Sequence, residues 1–352
     1  MNKIIIKYTV IAALIVISAC SSSKNVTLHT TRPAEITFPS SVETLVLVDR
    51  TVYDDNTLSV IEGIITGELP DEDNFGTQEL INGIRSQIRQ SSRFNIRVAE
   101  EKLKGNSLTS VFPEPITWRV INALCKKYKA QSVVAVELFD TDFIITDGVR
   151  KVKKKKKVNG KKREVEVNEF YVKGIADVTI GIRVYEPKSK RIFDQEIISR
   201  TKTWEEKGNS IQDALSHLIA KNKATGYLSQ RIGENYAYKI APMPITITRS
   251  FESESDDTPE LAIGARHADV GNWEEAISVW ESGISRAPVE DAGYLTYNMA
   301  VGYEVLGDFD NAIMWAEKSY VSYENDDALR YVNLLRSRID DEEQVRIQLN
   351  SP

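Results

Sequence analysis

The stretch "VTIGIRVYEPKSKRIFDQEI" (Val178 to Ile197) decides the fold. On each side of "PKSKR", apolar and polar residues alternate with a period of two, and most of the apolar ones are β-branched or aromatic. Pro187 and Ser189 stand where the chain has to reverse. Together these features predict a β-hairpin with one buried face. The N-terminal arm extends back through "EVEVNEFYVKGIAD" and the C-terminal arm runs on through "ISRTKTWEE", so both strands are long.

Working upstream, "QSVVAVELFDTDFIIT" (131–146) reads as a further strand. "PITWRVINALCKKY" puts Trp118, Ile121, Cys125 and Tyr128 at helical spacing, with Pro115 near the start. Cys125 there is a small buried hydrophobe, since no neighbouring base marks it as a nucleophile. "FNIRVAE" reads as a strand. "TQELINGIRSQIRQ" carries Leu80, Ile81, Ile84 and Ile88 on one stripe, with Thr77 as an N-cap candidate. "VETLVLVDR" (42–50) is an apolar run of buried-strand type. Downstream, Ser210 with Asp213 three residues on opens a long helix through Ile240, and "PITITRSF" returns as a strand. The expected order over 41–250 is β-α-β-α-β-β-β-α, an α/β sandwich domain.

The basic run "RKVKKKKKVNGKKR" (150–163) lies between two expected strands and holds the turn dipeptide Asn159-Gly160. It reads as a hairpin tip whose lysines repel one another into solvent and guard the strand edge. The sharper alternative is contact of Lys153, Lys154, Lys155, Lys156, Lys157, Lys161 and Lys162 with anionic lipid headgroups or an acidic polymer. The whole chain has 352 residues and a formal charge of −6. Without residues 1–19, which hold Lys3 and Lys7 and no acid, 43 basic residues face 51 acidic ones. Such a chain has no overall pull towards nucleic acid.

The first twenty residues, "MNKIIIKYTVIAALIVISAC", have a basic start, an apolar core and small residues before Cys20, the pattern of a secretory signal. Ile17-Ser18-Ala19-Cys20 resembles the bacterial lipobox. That resemblance implies cleavage before Cys20, a lipid on its thiol, and a place in the cell envelope, with the outer membrane favoured by Ser21. Residues 20–40, rich in Ser, Thr and Pro, read as a flexible tether.

"ESESDDTPE" (252–260) is acidic and aperiodic, so 251–259 reads as a domain linker. From 260 to 352 the pattern is helical and repeats. "GNWEEAISVWESGISRAP" aligns with "GDFDNAIMWAEKSYVSYE", with Trp273 and Phe309, and Ala276 and Ala312, each 36 residues apart. The spacing of Trp273, Ala276, Trp280, Gly283 and Pro288 resembles the second helix of a tetratricopeptide repeat, with Gly264 on the first. The expected fold is therefore an α/β sandwich followed by an all-α repeat. By position, the resemblance implies a partner-binding face at Tyr294, Tyr297, Val301 and Glu304.

The α/β part, with "VTIGIRVYEPKSKRIFDQEI" as its clearest piece, resembles the curli-secretion lipoprotein and the N-terminal domain of TolB. The whole chain resembles an uncharacterised lipoprotein family of Bacteroidota. The family likeness brings no function with it; the leading expectation is a non-enzymatic envelope lipoprotein whose α/β domain and repeat pair act as an assembly or interaction module for another envelope protein. Alternatives are a carbohydrate- or nutrient-binding lipoprotein using Trp204 or Tyr294, and a hydrolase. Asp71, Asp73 and Gly76 mimic part of a calcium loop, but Phe75 and Asn82 occupy ligand positions, so no metal is expected, and no motif calls for a cofactor.

Overall fold

Leu45 and Leu47 pack on one side of their strand, and Val46 and Val48 on the other. A strand buried on both faces belongs inside a helix-covered sheet, and the chain builds one. The computed structural model describes residues 23–52, 70–105, 111–158 and 161–350. The signal segment, Cys20 and Asn159-Gly160 lie outside them.

The chain divides into two units. One comprises Pro33–Met243 with Val345–Pro352, and the other comprises the chain up to Arg32 with Pro244–Gln344. In the first unit, β2 (Thr44–Asp49), α1 (Pro70–Ile88), β3 (Asn95–Val98), α2 (Trp118–Tyr128), β4 (Ser132–Val158), β5 (Lys161–Glu186), β6 (Arg191–Gly208), α3 (Ile211–His217) and α4 (Lys221–Ile240) follow one another. The sheet order is β3-β2-β4-β5-β6. β2 runs parallel to β3 and β4, and β4, β5 and β6 form antiparallel hairpins. Leu80, Ile84 and Ile88 of α1 and Leu228, Ile232 and Tyr236 of α4 cover one face. Ile121, Leu124 and Cys125 of α2 cover the other. Each such buried aliphatic side chain contributes about 1.5–3 kcal/mol.

α1 and α4 meet backbone to backbone. A methyl group on Gly83 would lie 2.4 Å from the Gln230 carbonyl oxygen, and one on Gly233 would lie 2.2 Å from that of Leu80. Only glycine permits this approach. Thr77 is fully buried inside α1, which begins at Pro70, and so does not cap it. Residues 71–76, the calcium-loop mimic, are helical. The helix expected across 210–240 opens as predicted, the Ser210 hydroxyl accepting from the Asp213 N–H at 3.1 Å. It breaks at Leu218, whose backbone is extended. Leu218 reaches the surface of Gly174, and Ile219 packs into the core, so sheet contacts outweigh helix continuity.

In the second unit, β1 (Ser23–Arg32) pairs with β7 (Met243–Glu252). Ser250 donates to the Asn25 side chain at 2.8 Å, and Lys24 forms an ion pair with Asp269. The expected tether over 20–40 is thus corrected from Ser23 onward: the Thr/Val alternation of "NVTLHTTR" is a strand. The expected linker over 251–259 is also corrected, because Phe251, Ser253 and Thr258 are buried. Phe251 packs edge-on against Trp273 and Trp280.

Among the described residues, five helices complete this unit: α5 (Pro259–Asp269), α6 (Trp273–Gly283), α7 (Val289–Val305), α8 (Phe309–Tyr323) and α9 (Asp326–Asn350), the last of which ends in the first unit. The 36-residue spacing recurs in the backbone at two glycines. Gly271 and Gly307, 36 residues apart, both take positive φ, +80° and +78°, at the turns into α6 and α8. Trp280 fills the space over Gly264, where a methyl group would come within 2.2 Å of the indole nitrogen.

Candidate functional site

β4 and β5 are far longer than their neighbours. β2 leaves β4 at Val136, and β6 leaves β5 at Phe170. Beyond that point, 150–158 and 161–169 continue as a two-stranded ribbon about 30 Å long at the usual rise. Between Arg150 and Glu169 the sequence holds ten basic residues and three acids. The ribbon is thus a cationic arm on an acidic protein.

Its root is an ionic network. Glu169 is buried and accepts from Arg150 at 3.0 and 3.1 Å, with Lys154 at 3.1 Å and Lys207 at 3.5 Å. Hydrogen bonds from Lys154 and Arg150 hold its carboxyl down at about 2. Arg150 also reaches Glu205 at 2.8 Å and lies 5.0 Å above the Tyr171 ring.

Further out, Lys153 stands opposite Glu166, and Lys155 opposite Glu164. This corrects the expectation of mutual lysine repulsion along both arms, because one arm supplies glutamates. At the tip the register does oppose like charges, pairing Lys156 with Arg163 and Lys157 with Lys162. Lys153, Lys154, Lys155 and Lys162 are exposed, while the side chains of Lys156, Lys157 and Lys161 lie outside the described residues.

A second polar cluster was missed by sequence reasoning. A bulge between Val136 and Leu138 breaks the alternation of β4, so Val134, Val136 and Phe139 share one face. Glu137 is fully buried. The Tyr185 hydroxyl donates to its Oε1 at 2.5 Å, and Arg183 and Arg50 donate to its Oε2 at 2.7 and 2.9 Å. Burial pushes the Glu137 carboxyl above its usual range, opposed by Tyr185, Arg183 and Arg50. The same groups hold the 113–116 segment. Arg183 donates to the Pro113 carbonyl, Arg50 to that of Glu114, and the Ile116 N–H donates to Tyr185. Both Glu137 oxygens are engaged, so the cluster works as a clamp. The legible signal was a lone carboxylate in "VVAVELF" and a lone guanidinium in "GIRVYE".

The face expected to bind a partner divides. Val301 and Glu304 are buried, so the expectation that they line an open surface is corrected. Glu304 is bound by Arg249 at 2.7 and 2.9 Å, Arg338 at 3.0 Å and the Tyr331 hydroxyl at 2.6 Å. Tyr297 lies 5.0 Å from the Tyr331 ring. Tyr294 donates to Glu290, which pushes its hydroxyl up to about 12. Trp204 meets Tyr227 edge-on at 6.1 Å, with the Lys202 ammonium 4.4 Å from the Tyr227 ring centre. Trp204 is half-buried. Burial pushes the Cys125 thiol up to about 11, far from a reactive thiolate. Among the described residues, no cluster of three His, Cys, Asp or Glu side chains is placed to hold a metal ion.

The model of a domain of unknown function, DUF8603, matches residues 42–251, which takes in the sheet, the ribbon and β7. The chain belongs to the DUF8603 family. A second domain of unknown function, DUF6340, matches 262–337 in the helical unit. No curated protein matches the chain.

Solved structures similar to it include the PelC dodecamer from Paraburkholderia phytofirmans, at 11% identity and a TM-score of 0.26, covering 60% of this chain and 96% of that one. TolB from Acinetobacter baumannii is similar at 7% identity and 0.23, covering 61% of this chain and 31% of TolB. A minor lipoprotein from Acinetobacter baumannii is similar at 8% identity and 0.19, covering 56% and 87%. Among the described residues no helix is long and apolar enough to cross a membrane.

Proposed function

We propose that this chain is a non-enzymatic lipoprotein of the cell envelope, anchored through Cys20, that uses its cationic ribbon to grip a polyanion. The ribbon's charge carries this reading: ten basic residues stand against three acids between Arg150 and Glu169, and Lys151, Lys153, Lys154, Lys155, Lys162 and Arg163 are exposed along it. An anion of high charge density complements that surface. Phosphate-bearing headgroups and acidic envelope polymers share this chemistry.

Near such a surface each cation contributes about 1 kcal/mol, screened by salt. In the chain from Ser21 onward, replacing Lys151, Lys153, Lys155, Lys162 and Arg163 by glutamine should weaken binding roughly a thousandfold at low salt. Vesicles containing phosphatidylglycerol and soluble polyphosphate, titrated separately, distinguish the two sources. Undiminished binding to both by the five-fold variant would refute the grip.

A second surface is carried by the helical unit, whose tetratricopeptide-like pairs suit an envelope partner protein. Met314 and Val321, seven residues apart on α8, are exposed. A Val321→Glu change should abolish a specific photo-crosslink from position 314 to an envelope protein, and an unchanged crosslink would argue against this surface.

A further inference from the structure

We infer that the helical unit is held against the bilayer, with the turn between α5 and α6 in the headgroup layer. This rests on the reading of Cys20 as the acylated anchor. β1 begins at Ser23, leaving only Ser21 and Ser22 between the anchor and folded structure. Three Cα steps of 3.8 Å span at most about 11 Å. The headgroup region on each side of a bilayer is itself about 5–8 Å deep. The first residues of β1 therefore stay within about 11 Å of the acylated residue, about one to two headgroup depths.

These residues are bound into the helical unit from the outset. Lys24 pairs with Asp269 at the end of α5, Asn25 accepts from Ser250, and Val26 packs on the unit's core. Directly after Asp269 comes Val270, which is 71% exposed. Gly271 follows at φ +80° with no atom within 4 Å of its missing methyl, so the space beside the turn is open. An apolar side chain at this turn, one ion pair from the anchor strand, suits the boundary between headgroups and acyl chains. Asp269, Glu274 and Glu275 flank the turn, so tether length, and not charge attraction, holds it there.

The test uses the mature, acylated full chain in phosphatidylcholine vesicles, in a Cys125→Ala background. A fluorophore is placed at Val270→Cys and quenched by nitroxide-headgroup lipid. Ser285→Cys, just beyond the far end of α6 and about 16 Å along its axis, is the reference. Quenching at 270 should be at least threefold that at 285 and the same at 0.05 and 0.5 M salt. A 20-residue Gly/Ser insertion between Ser22 and Ser23 should abolish the difference. Equal quenching at both positions, or quenching that survives the insertion, overturns the proposal. Mass spectrometry of the Cys20 fragment reports acylation separately. An unacylated fragment refutes the anchor reading, and this proposal falls with it.

Discussion

Glu137 sits where the alternation of β4 calls for an apolar side chain, and the fold offsets its burial with Tyr185, Arg183 and Arg50. Removing it leaves two guanidinium groups without their counter-charge, one of them deeply buried. Glu137→Ala should cost about 3–5 kcal/mol in urea unfolding, and a cost below about 1 kcal/mol would contradict the clamp.

Glu169 tests the ribbon differently. Its carboxyl lies at about 2 in the folded protein against an ordinary 4.5. The unfolded chain therefore takes up the proton first as pH falls. The ion pairs at the ribbon root contribute fully above about pH 4.5, and their contribution drains away towards pH 2. Amide protection of residues 149–155, corrected for intrinsic exchange, should fall between pH 5.5 and 2.5 in wild type and stay flatter in Glu169→Gln.

Among the elements, the α1–α4 contact allows a comparison of two glycines. Gly83→Ala drives a methyl group into the Gln230 carbonyl, which is backbone and cannot turn aside. It should lower stability by about 2–3 kcal/mol. Gly271→Ala meets nothing and bears only the left-handed backbone strain, about 1 kcal/mol. Thermal melts that reverse this order would exclude the close crossing. The elements also show what local sequence discloses. The hairpin around Pro187, the Ser210 cap and the 36-residue repeat rest on contacts between near neighbours, and their patterns were readable. The break at Leu218 and the bulge at Glu137 depend on Gly174, Arg50 and Tyr185, which lie tens of residues away. The ribbon's length was underestimated because lysine favours no strand by itself; the glutamates of the opposite arm make the pairing.

For the molecule as a whole, the chain passes between its two units three times, and its end returns to the α/β unit. There the Gln348 side chain accepts from the Ala34 N–H and donates to the Ala34 carbonyl, both at 2.8 Å, in a buried setting. Gln348→Ala strands both backbone groups and should cost about 1–3 kcal/mol in urea unfolding, a penalty absent if the end is only loosely attached. The membership of β1 was not readable, because its partner strand lies more than two hundred residues downstream.

That separation shapes how the protein is made. Asn25 waits for Ser250, 225 positions later, and at ordinary synthesis rates of 5–20 residues per second the delay is roughly 10 to 50 s. Throughout that interval the earliest strand is an open edge, able to join any other unpaired strand it meets. That edge closes only once β7 is available, and pairing across so long a separation slows folding.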